Sequence, residues 1–236
     1  MPGHLLLISN STNPGHGYLE HCEAELWETF EGRAQIVFIP YALADQDGYS
    51  DLAESKFEAI GLRLRSAHRH PRPAEAVTAA DGIFVGGGNT FRLLHRVRAF
   101  GLIEAIRSVI DRGAPYAGAS AGCNLACPTI KTTNDMPIVD PEGFDALDLF
   151  PYQVNPHYVD RDPDVAHGGE TREQRIAEFH EENDTPVIGL REGSLLRHIG
   201  GITTLHGDRG ARLFRKGHDP FEMSPGVVIE DAVAAI

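Results

Sequence analysis

The sequence predicts an α/β protein with a mostly parallel, doubly wound sheet and a C-terminal antiparallel β meander. Through the first half of the chain, apolar runs of strand length alternate with segments of helical periodicity, as they do in successive βαβ units. These predicted elements are strands at 5–9, 36–40 and 82–85 and helices at 18–30, 52–64, 91–97 and 102–110. The 236 residues, 42% of them hydrophobic, suffice for one α/β core. We therefore expect a single domain over residues 1–236.

The second half of the chain starts with an apolar run at 114–117 and then changes character. A short apolar run at 152–155, a polar helix at 171–182 and a strand at 187–190 follow it. Three more strands are predicted at 195–199, 202–205 and 211–214, with glycine-rich turns between them. Short strands joined by such turns usually pair with their neighbours in sequence, so we expect the meander at one edge of the sheet.

The charge and cysteine content narrow the classes of partner. Asp and Glu outnumber Lys and Arg by 34 to 21, for a formal charge of −13, so the chain should repel nucleic acids and anionic membrane surfaces. Three cysteines are too few for a disulfide framework, and Met1 leads into a strand without a basic flank, so we expect a cytoplasmic protein. Cys123 and Cys127 lack further ligands, which favours core packing over a metal site. We expect no metal or organic cofactor, and either a monomer or a homodimer.

The most informative motif is Gly118-Ala119-Ser120-Ala121-Gly122, which follows the apolar run at 114–117. A serine between two glycines, where a strand turns sharply into a helix, is typical of a nucleophile elbow. Side chains at Gly118 and Gly122 would collide with the adjoining strand and helix, and the strained turn exposes the serine hydroxyl. Ser120 is therefore the candidate nucleophile, although a tight turn of small residues would have the same sequence.

A second glycine-rich segment, residues 86–88, follows the predicted strand at 82–85. Asn89 or Thr90 can cap the helix that begins next. The spacing lacks the lysine and the glycine pattern of a phosphate-binding loop. If the two strands are neighbours, the amides of Gly88 and Ala121 can form an oxyanion hole beside Ser120.

A serine hydroxyl needs a base, and the chain has twelve histidines. His157 is the best candidate because Pro156 stiffens the end of a predicted strand and fixes where the imidazole points. His167, beside Gly168 and Gly169, is the second candidate, on a loop.

The acid that orients the histidine has two candidates. Glu192 follows the strand at 187–190, at the sheet edge where a ligand site is expected. Asp135 lies in a loop that must pack over the elbow because it follows it so closely. The position at a strand end slightly favours Glu192, and the other acid is left to contact the substrate.

These motifs resemble the serine peptidase family of the α-aspartyl dipeptidases (peptidase E), which also contains cyanophycinase. The likeness covers nearly the whole chain. It is carried by LLLISNST at 5–12, GGGNTFRLL at 86–94, GASAGCNLACP at 118–128, TTNDMPIVDPEGFDALDL at 132–149, NPH at 155–157, GETREQR at 169–175 and IGLREG at 188–193. Residues 48–80 and the tail after residue 200 match only loosely.

The resemblance implies hydrolysis of dipeptides with an N-terminal aspartate, on a fold similar to class I glutamine amidotransferase domains. It implies a Ser and His that match Ser120 and His157, and it leaves both Asp135 and Glu192 open as the acid.

Such a substrate carries a carboxylate and an ammonium, and in an acidic chain a local cation must bind the carboxylate. Arg172 is our candidate, because its guanidinium can pair with a carboxylate through two hydrogen bonds and Gly168 and Gly169 would let the loop close. Glu170 or Asp135 can then receive the ammonium. Thr171 and Asn89 are further candidate contacts. The sequence is equally consistent with a helix that Thr171 caps and whose Arg172 is solvated.

Two alternative functions remain at this point. An α/β-hydrolase-type carboxylesterase shares the elbow and, with Asp135, the chain order of the triad. A noncatalytic sensor would use the same pocket to bind an acidic dipeptide. The missing His-Gly oxyanion motif and the short span from Ser120 to His157 disfavour the esterase.

Overall fold

A computed structural model describes residues 3–161 and 169–236. The strands that it describes are β1 (His4–Ile8), β2 (Ile36–Ile39), β3 (Leu64–Ser66), β4 (Gly82–Val85), β5 (Tyr116–Ala119), β6 (Gln153–Tyr158), β7 (Val187–Arg191), β8 (Ser194–Ile199), β9 (Ile202–Gly207), β10 (Ala211–Phe214) and β11 (Phe221–Met223). The α-helices are α1 (Glu23–Phe30), α2 (Gln46–Ala59), α3 (Pro73–Thr78), α4 (Thr90–Ala99), α5 (Leu102–Asp111), α6 (Ala121–Ala126), α7 (Arg172–Glu182) and α8 (Ile229–Ala234). Short 3-10 helices cover Glu20–Cys22 and Ala67–Arg69.

The strands form two sheets. The larger has the order β3-β2-β4-β5-β1-β8-β9, in which the first five strands are parallel and the last two are added antiparallel. The smaller has the order β11-β10-β7-β6, and only β6 and β7 are parallel. The predicted α/β fold with a mostly parallel central sheet is confirmed.

Helices cover both faces of the larger sheet because its strands are apolar on both sides. Leu5 of β1 belongs to the same buried cluster as Leu93 of α4. The next residue, Leu6, faces the opposite way and belongs to a second cluster with Leu26 of α1. Alternate residues of a strand point to opposite faces, so a strand that is buried on both sides has a continuous apolar sequence.

The predicted C-terminal meander is wrong in part. Strands β8 and β9 do form an antiparallel pair at the edge of the larger sheet. The next strand, β10, instead pairs with β7 and β11 in the smaller sheet. Gly207 and Gly210 have φ angles of 90° and 67°, a backbone that favours glycine, and the turn they bound carries the chain from one sheet to the other.

Several short elements were not predicted from the sequence: β3, α3, β11 and α8. The helix predicted at 52–64 begins at Gln46 instead, where the side chain of Asp45 accepts a hydrogen bond from the amide of Gly48 at 2.9 Å. A polar first turn that contains a glycine hides the helical period there. Within residues 3–161 and 169–236, no helix has the length and hydropathy to cross a bilayer. The same residues include no group of three potential metal-ligating side chains, and the predicted lack of a cofactor stays a prediction.

Candidate active site

Ser120 lies on a strained turn between β5 and α6. Its φ and ψ angles are 52° and −107°, in a region that costs a non-glycine residue about 1–3 kcal/mol. A Cβ on Gly118 would lie 2.5 Å from the carbonyl oxygen of Gly122, and one on Gly122 would lie 2.6 Å from that of Val85. Ser120 is the N-cap residue of α6, but its side chain makes no capping hydrogen bond. The elbow therefore needs both glycines and presents a hydroxyl that the helix does not use.

The loop at 86–88 packs directly against the elbow, because β4 and β5 are neighbours. A Cβ on Gly87 would lie 3.2 Å from the Cβ of Ser120. Gly88 has a φ of 131° and lies against the carbonyl of Ala42. Neither the amide of Gly88 nor that of Ala121 donates a hydrogen bond to any acceptor in the described part of the chain. Two unused N–H groups at such a turn can bind an oxyanion.

Sequence reasoning missed Tyr49, which supports this loop. The buried hydroxyl of Tyr49 accepts a hydrogen bond of 2.8 Å from the amide of Gly87. A Cβ on Gly86 would lie 2.5 Å from the same hydroxyl oxygen. No local signal identifies Tyr49, because it reaches the loop from α2, which the sequence placed too far along the chain.

His157 reaches Ser120 from the smaller sheet. Its Nε2 lies 3.0 Å from the Oγ of Ser120. The residue has a φ of 53° and stands at a break in register between β6 and β7, where Pro156 pairs with Leu190 and Tyr158 with Arg191. The extra residue of such a bulge is re-aimed relative to a regular strand, and here it directs the imidazole to the elbow.

Glu192 is the acid that contacts His157. Its Oε1 lies 2.6 Å from the Nδ1 of His157, and the side chains of His157 and Glu192 are 40% and 48% exposed. Ser120, His157 and Glu192 thus form one chain of hydrogen bonds, in which Nε2 of the imidazole faces Ser120 and Nδ1 faces Glu192. The arrangement has the connectivity of a serine hydrolase triad.

Asp135 occupies a different place. Its Oδ2 accepts hydrogen bonds from the amide and the hydroxyl of Thr90, at 2.7 and 2.6 Å, and from the hydroxyl of Thr133 at 3.2 Å. These contacts put the carboxylate at the N-terminus of α4, where a negative charge is favourable. Asp135 makes no hydrogen bond with His157.

Arg172 is the first residue of α7 and is half-buried. Burial and the nearby Arg175 lower the pKa of its guanidinium, while the charge of Asp135 acts in the opposite direction. Arg172 and Asp135 are therefore electrostatic neighbours. Among the described residues Arg172 forms no ion pair, whereas Arg175 lies 3.5 Å from Glu170.

The other predicted contacts have structural partners. Thr171 caps α7 in a capping box with Gln174. The Oδ1 of Asn89 accepts from the amide of Arg92 at 3.0 Å, and its Nδ2 donates to the carbonyl of Met136 at 2.9 Å. Asn89 is therefore a helix cap and a loop anchor, and its expected substrate contact stays a prediction. The candidate base His167, and Gly168 beside it, lie outside the described residues.

A cavity of about 560 Å³ opens beside the first turn of α7. Its lining contains three arginines, Arg161, Arg172 and Arg175, together with Glu170 and Asp160. Ser120 and His157 are not part of that lining. Along the chain, the lining begins at Val159, two residues after His157.

An ion-pair cluster, which the sequence analysis did not predict, includes Asp160 of the cavity lining. Arg191 bonds both carboxylate oxygens of Asp160, at 2.7 and 2.9 Å, and also those of Glu222. The hydrogen bond from Arg191 holds the pKa of Asp160 below its usual range. Asp160 follows β6 and Arg191 ends β7, so this pair joins the two strands beyond the bulge at His157.

The sequence model of peptidase family S51 matches residues 5–205. The chain belongs to peptidase family S51. This match confirms the family resemblance that the motifs indicated.

Close relatives of this S51 chain extend over nearly its whole length. Peptidase E of Streptomyces coelicolor is 50% identical over 222 residues, which cover 94% of this chain and 91% of the relative. A Drosophila melanogaster protein named "Probable alpha-aspartyl dipeptidase" is 43% identical over 224 residues, 94% of this chain and 93% of its own length. The crystal structure of a peptidase from an acI-B1 actinobacterium superimposes with a TM-score of 0.68 at 19% identity, covering 97% of this chain and 96% of that one. At that identity the structural match speaks for the fold alone.

Proposed function

We propose that this S51 chain is a serine dipeptidase that hydrolyses dipeptides with an N-terminal L-aspartate through an aspartyl-enzyme ester. The observation that carries the proposal is the pair of hydrogen bonds from Ser120 through His157 to Glu192, at 3.0 and 2.6 Å. The substrate class rests on the relatives named peptidase E and alpha-aspartyl dipeptidase. The names of these relatives support neither the esterase nor the sensor.

The first half of the reaction forms the ester. The Oγ of Ser120 attacks the peptide carbonyl carbon while the Nε2 of His157 accepts its proton. The amides of Gly88 and Ala121 donate hydrogen bonds to the oxygen that becomes negative. His157 then gives the proton to the leaving amine, and the C–N bond breaks.

The second half releases aspartate. A water molecule gives a proton to His157 and attacks the ester carbonyl, and the proton returns to Ser120 as the ester bond breaks. Glu192 accepts a hydrogen bond from the Nδ1–H of His157 in both halves. It thereby keeps Nε2 facing Ser120 and stabilises the positive imidazolium.

The N-terminal aspartyl residue of the substrate carries a negative carboxylate and a positive ammonium group, so its recognition requires a cation for the first and an anion for the second. We assign its side-chain carboxylate to Arg172, which has no ion-pair partner within residues 3–161 and 169–236. The free ammonium group is assigned to Asp135, whose charge acts on Arg172, with Glu170 as the alternative. In this scheme the arginine-rich first turn of α7 attracts the substrate to a chain whose net charge of −13 repels it.

Three broader points are part of the proposal. Strands of both sheets contribute to one buried cluster, as Leu5 and Ile188 do, which supports a single domain. The likeness to class I glutamine amidotransferase domains is likewise proposed, on the mostly parallel sheet with an elbow after β5. The three cysteines are buried free thiols, in keeping with a cytoplasmic location. The oligomeric state stays a prediction.

A substrate panel with one matched variant tests the function. Purified enzyme is assayed with Asp-Leu, Asn-Leu, Glu-Leu and β-Asp-Leu, beside a p-nitrophenyl ester and a fluorophosphonate probe. We expect turnover of Asp-Leu above all others, and Ser120→Ala should lower it by roughly 10⁶. A variant that keeps a tenth of the activity rules out the serine mechanism. Preference for the ester, or the absence of any reaction with the probe, would favour the esterase or the sensor.

A further inference from the structure

The segment Leu5–Thr12 carries part of the family resemblance, yet the proposed reaction uses none of its residues. Its centre, the tripeptide Ile8-Ser9-Asn10, lies at the end of β1 and is fully buried. Strand β1 lies between β5, which leads to Ser120, and β8, which follows Glu192. Polar groups in such a position must find partners inside the protein.

The first two residues of the tripeptide hold the nucleophile and the base. The carbonyl of Ile8 accepts a hydrogen bond of 2.9 Å from the amide of Ser120. The Oγ of Ser9 accepts one of 3.0 Å from the amide of His157 and donates one of 2.8 Å to the carbonyl of Leu190. Ser9 therefore bonds both parallel strands of the smaller sheet, β6 and β7, at the bulge that carries His157.

The third residue holds the turn that carries the acid. The Oδ1 of Asn10 accepts a hydrogen bond of 2.8 Å from the amide of Gly193, which follows Glu192. Its Nδ2 donates to the carbonyl of Thr12 and to the Oδ1 of Asn13, at 2.9 and 2.7 Å. The orientation of the Asn10 amide is thus fixed from both ends.

We infer that Ser9 and Asn10 are positioning residues of the triad, which together with the Ile8 carbonyl fix Ser120, His157 and Glu192 relative to one another. Three consecutive residues, Ile8 at the end of β1 and the two that follow it, bond the backbone at or next to all three triad members. Ser120 stands on the larger sheet and His157 on the smaller, so their separation depends on how the two sheets are joined. The side chain of Ser9 makes that joint at His157 itself. This inference rests on the proposed function, because it assumes that the three side chains act together.

The test compares Ser9→Ala and Asn10→Ala with Ser194→Ala. Ser194 is also fully buried, its carbonyl accepts a hydrogen bond from the amide of Ser9, and its own hydroxyl has no partner among the described residues. The rate of labelling by a fluorophosphonate is measured, in which the Oγ of Ser120 displaces fluoride from phosphorus and His157 takes the proton. Because a displacement of about 1 Å can cost a factor of about 100, we expect Ser9→Ala and Asn10→Ala to label on the order of 100 times more slowly. The Ser194→Ala rate should stay within about twofold of wild type.

Two further readouts distinguish positioning from general stability. With Asp-Leu, the loss in Ser9→Ala and Asn10→Ala should appear in kcat, with KM nearly unchanged, because both side chains are buried and bonded within the protein. A strongly deshielded proton resonance from the Nδ1–H of His157 should be present in wild type and Ser194→Ala, and weakened or lost in Asn10→Ala. Glu192→Gln identifies that resonance.

The outcomes separate this inference from the proposed function. Wild-type rates in both variants, an equal loss in Ser194→Ala, or failure of both variants to fold while Ser194→Ala folds would each overturn it. If the wild-type enzyme cleaves no dipeptide but reacts with the probe, the substrate assignment fails and the positioning is still measured. If the probe does not react either, the imidazole resonance alone decides, since it needs neither a substrate nor a reactive serine.

Discussion

Replacing Glu192 by glutamine should weaken catalysis by an amount that the geometry allows us to calculate. The change keeps the size of the side chain and one acceptor oxygen for His157 but removes the negative charge. That charge matters most in the transition state, when His157 is a cation. Two unit charges 2.6 Å apart attract by about 1.6 kcal/mol in water and by about 6 kcal/mol at an effective dielectric constant of about 20.

The solvent exposure of His157 and Glu192 places the attraction energy between those two limits. The side chains of His157 and Glu192 are 40% and 48% exposed, so solvent screens the attraction and the upper limit does not apply. We take about 3 kcal/mol, which corresponds to a fall in kcat of roughly 100- to 200-fold for Glu192→Gln. The KM for Asp-Leu should change little, because Glu192 is assigned to the base rather than to the substrate.

Asp135→Asn is the matched comparison. Asp135 contacts Thr90 and Thr133 rather than His157, so its loss of charge should affect α4 and the substrate ammonium. We expect a smaller fall in kcat than for Glu192→Gln, a higher KM, and a loss in unfolding free energy of about 1–2 kcal/mol from weaker charge-assisted hydrogen bonds.

Steady-state kinetics with Asp-Leu measure kcat and KM of both variants separately. Thermal melting measures their stability. A larger loss of kcat in Asp135→Asn than in Glu192→Gln would refute the reasoning, since it would assign the orienting role to the acid that does not contact His157. Equal losses in both would mean that the contact seen between His157 and Glu192 does not determine the rate.

Two more predictions follow from the charges of the site and the core. Arg172→Ala should lower kcat/KM for Asp-Leu roughly 30- to 150-fold, which corresponds to a loss of about 2–3 kcal/mol in transition-state stabilisation. Arg175→Ala is the control. An equal loss of kcat/KM on a neutral dipeptide would exclude Arg172 from specificity. Burial lowers the pKa of His198 and of three other histidines from their ordinary value of 6.5. Below about pH 6.5 the unfolded chain therefore binds more protons than the folded one, and stability falls as the pH decreases. Calorimetric melting temperatures should decline from pH 7 to about pH 5, and a constant or rising value contradicts this prediction.

Local patterns in the sequence predicted the parts of the fold that local chemistry determines. The strand preceding Ser120 and the helix following it come from apolar runs and from glycines whose added Cβ atoms would overlap backbone. Residues 211–214 were predicted with the bounds that β10 has, but in the wrong sheet. Pairing partners depend on the turn at Gly207 and Gly210 and on burial by distant strands, which no local pattern encodes.

Local patterns also could not decide whether Glu192 or Asp135 is the acid that contacts His157. Both follow the elbow in sequence, and both are plausible carboxylates for a histidine. What separates them in space is a bulge at His157 and a helix N-terminus at Thr90 that takes up the carboxylate of Asp135. The first depends on pairing between β6 and β7, and the second depends on how a loop returns across the sheet, so neither can be derived from spacing along the chain.

The position of the site at the junction of the two sheets sustains the backbone strain of its residues. Ser120 and His157 both have positive φ angles, at a cost of about 1–3 kcal/mol each. Such conformations persist only where the surroundings leave the chain no alternative. Strand β1 and Ser9, the residue after it, supply that constraint. The strand is buried and paired on both sides, the carbonyl of Ile8 accepts a hydrogen bond from the amide of Ser120, and the Oγ of Ser9 accepts one from the amide of His157. On a mobile loop the same two residues would relax, and the hydroxyl and the imidazole would no longer meet.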